Sequence, residues 1–159
     1  RDSIHAEVME KGWSEEKQSF VQYYGTEALD AANLLIGMVG FLPRNHPRVK
    51  GTIAATIREL TSADKELVYR YINPDGLPGE EGVFSICTFW LAEALILSGD
   101  VERGERIFQR MLRHASPVGL YSEEIDPTTG EFLGNFPQAF THIALINTAY
   151  ILEWAHGRI

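Results

Sequence analysis

Apolar positions along this chain come in two textures: stretches apolar on nearly every side, and stretches where they return every third or fourth residue. The alternation predicts a helical protein. In Arg1 to Lys11, Ile4, Val8 and Met9 share one face of an amphipathic helix, and Gly12 stops it. Ser19 to Gly25 is β-branched and aromatic, which predicts a short extended segment or half of a hairpin. Asp30 stands as N-cap before Ala31 to Leu42, a second helix apolar nearly all round and therefore expected to be buried. Pro43 ends it and Pro47 opens a third, with Val49, Ile53, Ile57 and Leu60 opposite Arg48, Lys50, Arg58 and Glu59.

A loop region follows from Thr61 to Gly82, with an extended run at Leu67 to Ile72 and turn chemistry from Asn73 to Gly79. Val83 to Leu97 is again apolar all round, and Ser98-Gly99-Asp100 stops it and caps a fifth helix. That helix sets Ile107, Phe108, Met111 and Leu112 on one face, with Glu102, Arg103, Glu105, Arg106, Arg110 and Arg113 elsewhere. A sixth, Pro137 to about Trp154, is expected to be buried. Buried helix, amphipathic helix and loop thus recur, as two concentric rings of helices would require; a helical solenoid would give weaker contrast between partners.

A length of 159 residues allows one core and one unit. The net charge of -8, spread through helical segments, argues against nucleic acid, whose phosphates demand clustered Lys and Arg. The single cysteine, Cys87, lies in an apolar run and reads as a core residue. Glu93 interrupts one of the two longest apolar stretches, and Thr141, His142, Asn147 and Glu153 the other, so neither reads as a membrane span. No signal peptide opens the chain, and the expected location is cytoplasmic. Because Arg1 already reads as mid-helix, the chain is expected to be a fragment of a longer protein. The histidines show no metal-ligand spacing and no phosphate loop is present, so no cofactor and no metal are expected.

Candidate chemistry concentrates between Gly119 and His142. Glu123 and Glu124 precede Asp126-Pro127 and the turn Thr128-Thr129-Gly130, and a long apolar helix follows. Carboxylates on a loop between packed helices are placed for chemistry; a solvated loop pair is the alternative that the residues alone leave open.

The motif resembles a known family. Ser122-Glu123-Glu124-Ile125-Asp126, then Thr129-Gly130, Leu133-Gly134 and Asn135 through His142, is similar to the C-terminal signature of glycoside hydrolase family 15, the family of glucoamylases, glucodextranases and related trehalases. Leu29 to Leu35, Val68 to Tyr71, Asp75 to Gly82 and Ser85 to Trp90 resemble family segments in the expected order. The resemblance implies an all-α fold of about six helices as inner and outer hairpins, the C-terminal half of an (α/α)6 barrel. Residues 1–159 would be a single unit, the C-terminal portion of a catalytic domain whose N-terminal portion is absent.

The first Glu of the triplet is the family's general base, so the resemblance gives that role to Glu123. It gives Arg70 and Glu81, with Glu80 as rival, to the hydroxyls of the terminal glucose; stacking between Tyr69 and Tyr71 is the structural alternative for Arg70. Gln138 and His142 would orient a substrate hydroxyl or the base, or else satisfy backbone groups at the helix start. Phe84 and Trp90 read as core, or as a platform under a sugar ring. An inverting glycosidase needs an acid and a base roughly 6.5–9.5 Å apart, and adjacent Glu123 and Glu124 cannot be that pair. The family's Trp-Glu acid motif is missing, and Trp13 to Glu16 sits in the wrong context. Hence the chain is expected to carry the base half of an inverting α-glucoside hydrolase and to be inactive alone. Its partners would be an α-glucoside oligosaccharide or disaccharide, and a second copy in a homodimer closing the exposed barrel edges. A non-catalytic helical-repeat module binding protein or carbohydrate is the alternative.

Overall fold

In a computed structural model that describes residues 1–63, 67–73 and 81–159, α1 (Asp2–Lys11) leads into a hairpin of β1 (Trp13–Ser14) and β2 (Ser19–Phe20). A 3₁₀ turn (Ala31–Leu34) runs into the short α2 (Leu35–Met38), and α3 (Pro47–Glu59) follows. Then come β3 (Val83–Phe84), α4 (Ser85–Ser98), α5 (Val101–Leu112), β4 (Glu124–Ile125), β5 (Phe132–Leu133) and α6 (Ala139–Ala155).

The expectation of an all-α chain needs correction. Among the described residues, two small antiparallel sheets, β1-β2 and β3-β4-β5, accompany six α-helices. Both form where loops cross helix ends, because backbone groups there have no helical partner and pair across the loops instead. The segment expected as one long helix from Ala31 to Leu42 is only the 3₁₀ turn plus α2. Asp30 caps it as expected, accepting a hydrogen bond from the Ala32 N–H at 2.8 Å.

The central element is α4. It is buried on nearly every side, with Phe89, Leu91 and Leu95 in the core. Its left-handed Gly99 ends it, and the chain turns directly into α5. These two helices touch very closely, since a Cβ on Gly104 would stand 2.5 Å from Ile96 Cγ1 and 2.7 Å from the Ala92 carbonyl oxygen. Only glycine permits that approach.

The sixth helix departs from its expectation. It buries a narrow stripe of Thr141, Ala144, Thr148 and Leu152 against α4. Phe140, Ile143, Ile146, Tyr150 and Trp154 point outward, between 54% and 66% exposed. An all-round apolar sequence therefore does not mean all-round burial here; the large side chains form an uncovered apolar face.

No helix among the described residues is long and apolar enough to cross a membrane.

Candidate active site

The segments entering the 3₁₀ turn, α4 and α6 converge at one end of the molecule. β4 runs between β3 and β5, with Phe84 opposite Glu124 and Ile125 opposite Phe132, so the loop before α6 is tied to the start of α4. Arg70 joins them: its carbonyl accepts from the Ala31 N–H at 2.9 Å, while nearby Val68 accepts from the Phe84 N–H at 2.9 Å.

Glu123 immediately precedes β4 and is held from both sides. Its carbonyl accepts from the Ser85 N–H at 3.0 Å, and its N–H donates to the Asn135 carbonyl at 2.9 Å. Its carboxylate Oε2 accepts twice from Asn135, from the backbone N–H at 3.0 Å and from Nδ2 at 2.8 Å. Next to it opens a cleft of about 280 Å³, whose wall includes Arg70, Glu123 and Gln138. Phe84, Trp90 and Phe140 give it aromatic surface, and Ile86 and Thr141 also line it. Phe84 and Trp90 also pack against the core.

Glu124 turns the other way, as strand neighbours do. Its Oε2 accepts from the Gly82 N–H at 3.1 Å. Burial pushes this carboxyl above its ordinary range; the Gly82 N–H opposes the rise, and the charges of Glu81 and Glu123 add to it. Glu81 is exposed beside this pair. Glu80 lies outside the described residues.

Arg70 is anchored by Asp30, whose Oδ1 accepts from Nε at 2.8 Å. Its guanidinium is held charged by that hydrogen bond, against a smaller opposing effect of burial. Gln138 opens α6 and donates its N–H to the Tyr121 carbonyl at 2.9 Å. The His142 ring meets backbone on both nitrogens, with Nδ1 2.7 Å from the Gln138 carbonyl and Nε2 accepting from the Tyr121 N–H at 3.3 Å. Since a carbonyl only accepts, Nδ1 carries a hydrogen in this arrangement. Both ring nitrogens of His142 thus meet backbone, one at the Gln138 carbonyl before α6 and one at the Tyr121 N–H.

Sequence reasoning missed the second role of Asp30, which both caps the 3₁₀ turn and holds Arg70 through one oxygen. It also missed what Gly134 and Asn135 do to Glu123. No spacing signals either contact, because the partners are far apart in sequence and meet through the fold.

Known proteins resemble this chain in sequence and in fold. The family model described as glycosyl hydrolases family 15 matches residues 1–102 and 98–150. A trehalase of Mycobacterium tuberculosis is 51% identical over 147 residues, 92% of this chain and 22% of the relative. A trehalase of Thermoplasma volcanium is 44% identical over 155 residues, 98% of this chain and 25% of the relative. The chain thus spans about a quarter of the length of these curated relatives. Among solved structures, a glycosidase in complex with glucose superposes with a TM-score of 0.80 at 18% identity, over 95% of this chain and 42% of that one. A wild-type glycosidase gives 0.76, also at 18% identity, over 98% and 43%. At such identity the likeness is one of fold.

Proposed function

The chain belongs to glycosyl hydrolases family 15, and from that premise we propose that it is the C-terminal half of an (α/α)6 barrel from an inverting α-glucoside hydrolase of the trehalase type. Glu123 is the general base. The observation that carries this reading is the shared cleft: Glu123, Arg70 and Gln138 line one cavity of about 280 Å³ with three aromatic side chains. That volume suits one sugar ring, and aromatic faces favour its C–H surface.

In this reading Arg70, fixed by Asp30, holds hydroxyls of the terminal glucose, and Gln138 meets the sugar in the same cleft. Glu81, with Glu80 as the rival assignment, binds further hydroxyls of the same glucose. Water is activated by Glu123 and attacks the anomeric carbon from the face opposite the leaving oxygen, which a general acid must protonate. Glu124 is not that acid, because it faces Gly82 rather than the cleft. The acid belongs to the remainder of the enzyme, and the 159-residue chain alone is inactive.

The exposed face of α6 supports the same placement. In the whole enzyme the remaining hairpins cover Ile143, Ile146 and Tyr150. In the isolated chain that face pairs two copies in a homodimer.

The anomeric outcome tests the mechanism. An inverting enzyme acting on trehalose leaves the departing glucose α and turns the attacked one β. Proton NMR of the first turnovers of the full-length enzyme should show equal amounts of the two anomers; α-glucose alone would overturn the reading.

A further inference from the structure

We propose that Asn135 is the positioning residue of the base and that Gly134 provides the gap in which the clamp closes, an inference that rests on the assignment of Glu123 above. Both hydrogen bonds from Asn135 fall on the same carboxylate oxygen, Oε2. A carboxylate oxygen that already accepts two N–H donors is a poor proton acceptor, whereas its sister oxygen keeps its lone pairs. The clamp therefore divides the labour of the carboxylate: Oε2 anchors it, and Oε1 takes the proton.

The backbone supports this division. Gly134 sits at φ +70°, and a Cβ there would stand 2.8 Å from Glu123 Oε2 and 3.1 Å from Glu123 Cβ. The return hydrogen bond, from the Glu123 N–H to the Asn135 carbonyl at 2.9 Å, locks the two residues into one ring of contacts. Rotation of the carboxylate about its last bond would break two of them.

In the reaction, the water oxygen forms a bond to the anomeric carbon while its O–H bond breaks and the proton passes to Oε1. The bond from that carbon to the glycosidic oxygen breaks, and a carboxylic acid elsewhere in the enzyme supplies the leaving oxygen with a proton. Water is the only co-reactant consumed, and the clamp takes no proton. Its effect falls on the transition state, in which the base must already be aimed.

The test is kinetic, on trehalose, in the full-length enzyme that contains this segment. Asn135→Ala should lower kcat roughly ten- to hundredfold, the scale of a charged hydrogen bond, with KM unchanged. Asn135→Asp is nearly isosteric but sets a carboxylate against Oε2, so it should fall below Asn135→Ala. A residue that merely fills space would tolerate the isostere better, so an Asp variant more active than the Ala variant overturns the proposal. Gly134→Ala pushes the same carboxylate from the backbone side and should also lower kcat, which decides the matter if an Asn135 variant does not fold. Glu123→Gln separates the two claims. If it abolishes turnover while Asn135→Ala stays within about twofold of wild type, the clamp is refuted and the base stands; if Glu123→Gln retains full kcat, the base assignment itself fails.

Discussion

Thr148 Oγ1 on α6 lies 3.0 Å from Glu93 Oε1 on α4 and 2.8 Å from the Ala144 carbonyl. A hydroxyl has one hydrogen to give, and the carbonyl can only accept. With the hydrogen on the Ala144 carbonyl, the contact to Glu93 is satisfied when the carboxyl carries its own proton. Burial, at 1% exposure, acts in the same direction and pushes Glu93 up to about 7; a hydrogen bond donated by Thr148 would pull it down and is the weaker effect.

Stability follows from that rise. Between the ordinary value of 4.5 and about 7, the folded chain keeps a proton that the unfolded chain has lost. Stability should therefore fall as pH rises through this window, by roughly 3 kcal/mol in total, and level off above it. Glu93→Gln, whose amide can donate to Thr148 without titrating, should flatten the curve and melt higher than wild type at pH 8. Calorimetric melting temperatures of both proteins between pH 4.5 and 8.5 check this; parallel curves would refute it.

Glu123→Gln in the full-length enzyme should lower trehalose turnover by about a hundred- to ten-thousandfold, because an amide cannot take the proton from water. Glu124→Gln should cost far less, since the amide oxygen can still accept from the Gly82 N–H. The purified 159-residue chain should release no glucose in a coupled glucose assay; Glu123-dependent release from it would show that an acid is present after all.

Gly104→Ala sets two effects against each other. Alanine gains about 1 kcal/mol of helix propensity. Its Cβ, however, would meet the Ala92 carbonyl oxygen at 2.7 Å, a backbone atom that cannot rotate away. Overpacking costs typically about 1–3 kcal/mol, so the variant should be destabilised on balance. A lower urea midpoint is the expected result.

The uncovered face of α6 predicts association of the isolated chain. Sedimentation should show a concentration-dependent dimer, and Ile143→Glu with Tyr150→Lys should make it monomeric. A clean monomer at high concentration in the unaltered chain would count against the pairing.

Much of the secondary structure was legible because its causes are local. Gly12 and Gly99 end helices, Pro47 opens one and Asp30 caps another through contacts within a few residues. The Ser-Glu-Glu and Asn-Phe-Pro-Gln segments likewise pointed to the family by themselves, and the match over residues 1–102 and 98–150 agrees. Burial was harder to read. The apolar pattern of α6 is the same on all sides, yet which side is covered depends on neighbours that sequence does not place; α4 meets its Thr and Ala stripe, and the larger side chains stay uncovered.

The sequence by itself determined where α1, α3, α4 and α5 start and stop to within a residue or two, which family the chain belongs to and which carboxylate is the candidate base, since each rests on short stretches whose chemistry is self-contained. Tertiary structure alone decided what surrounds that base. Asp30 and Arg70 lie forty residues apart along the chain, Glu123 and Asn135 twelve, and Glu93 and Thr148 fifty-five. Each pair meets only because packed helices and crossing loops bring distant backbone together, and a hydrogen bond depends on distance and angle, which the order of residues does not contain.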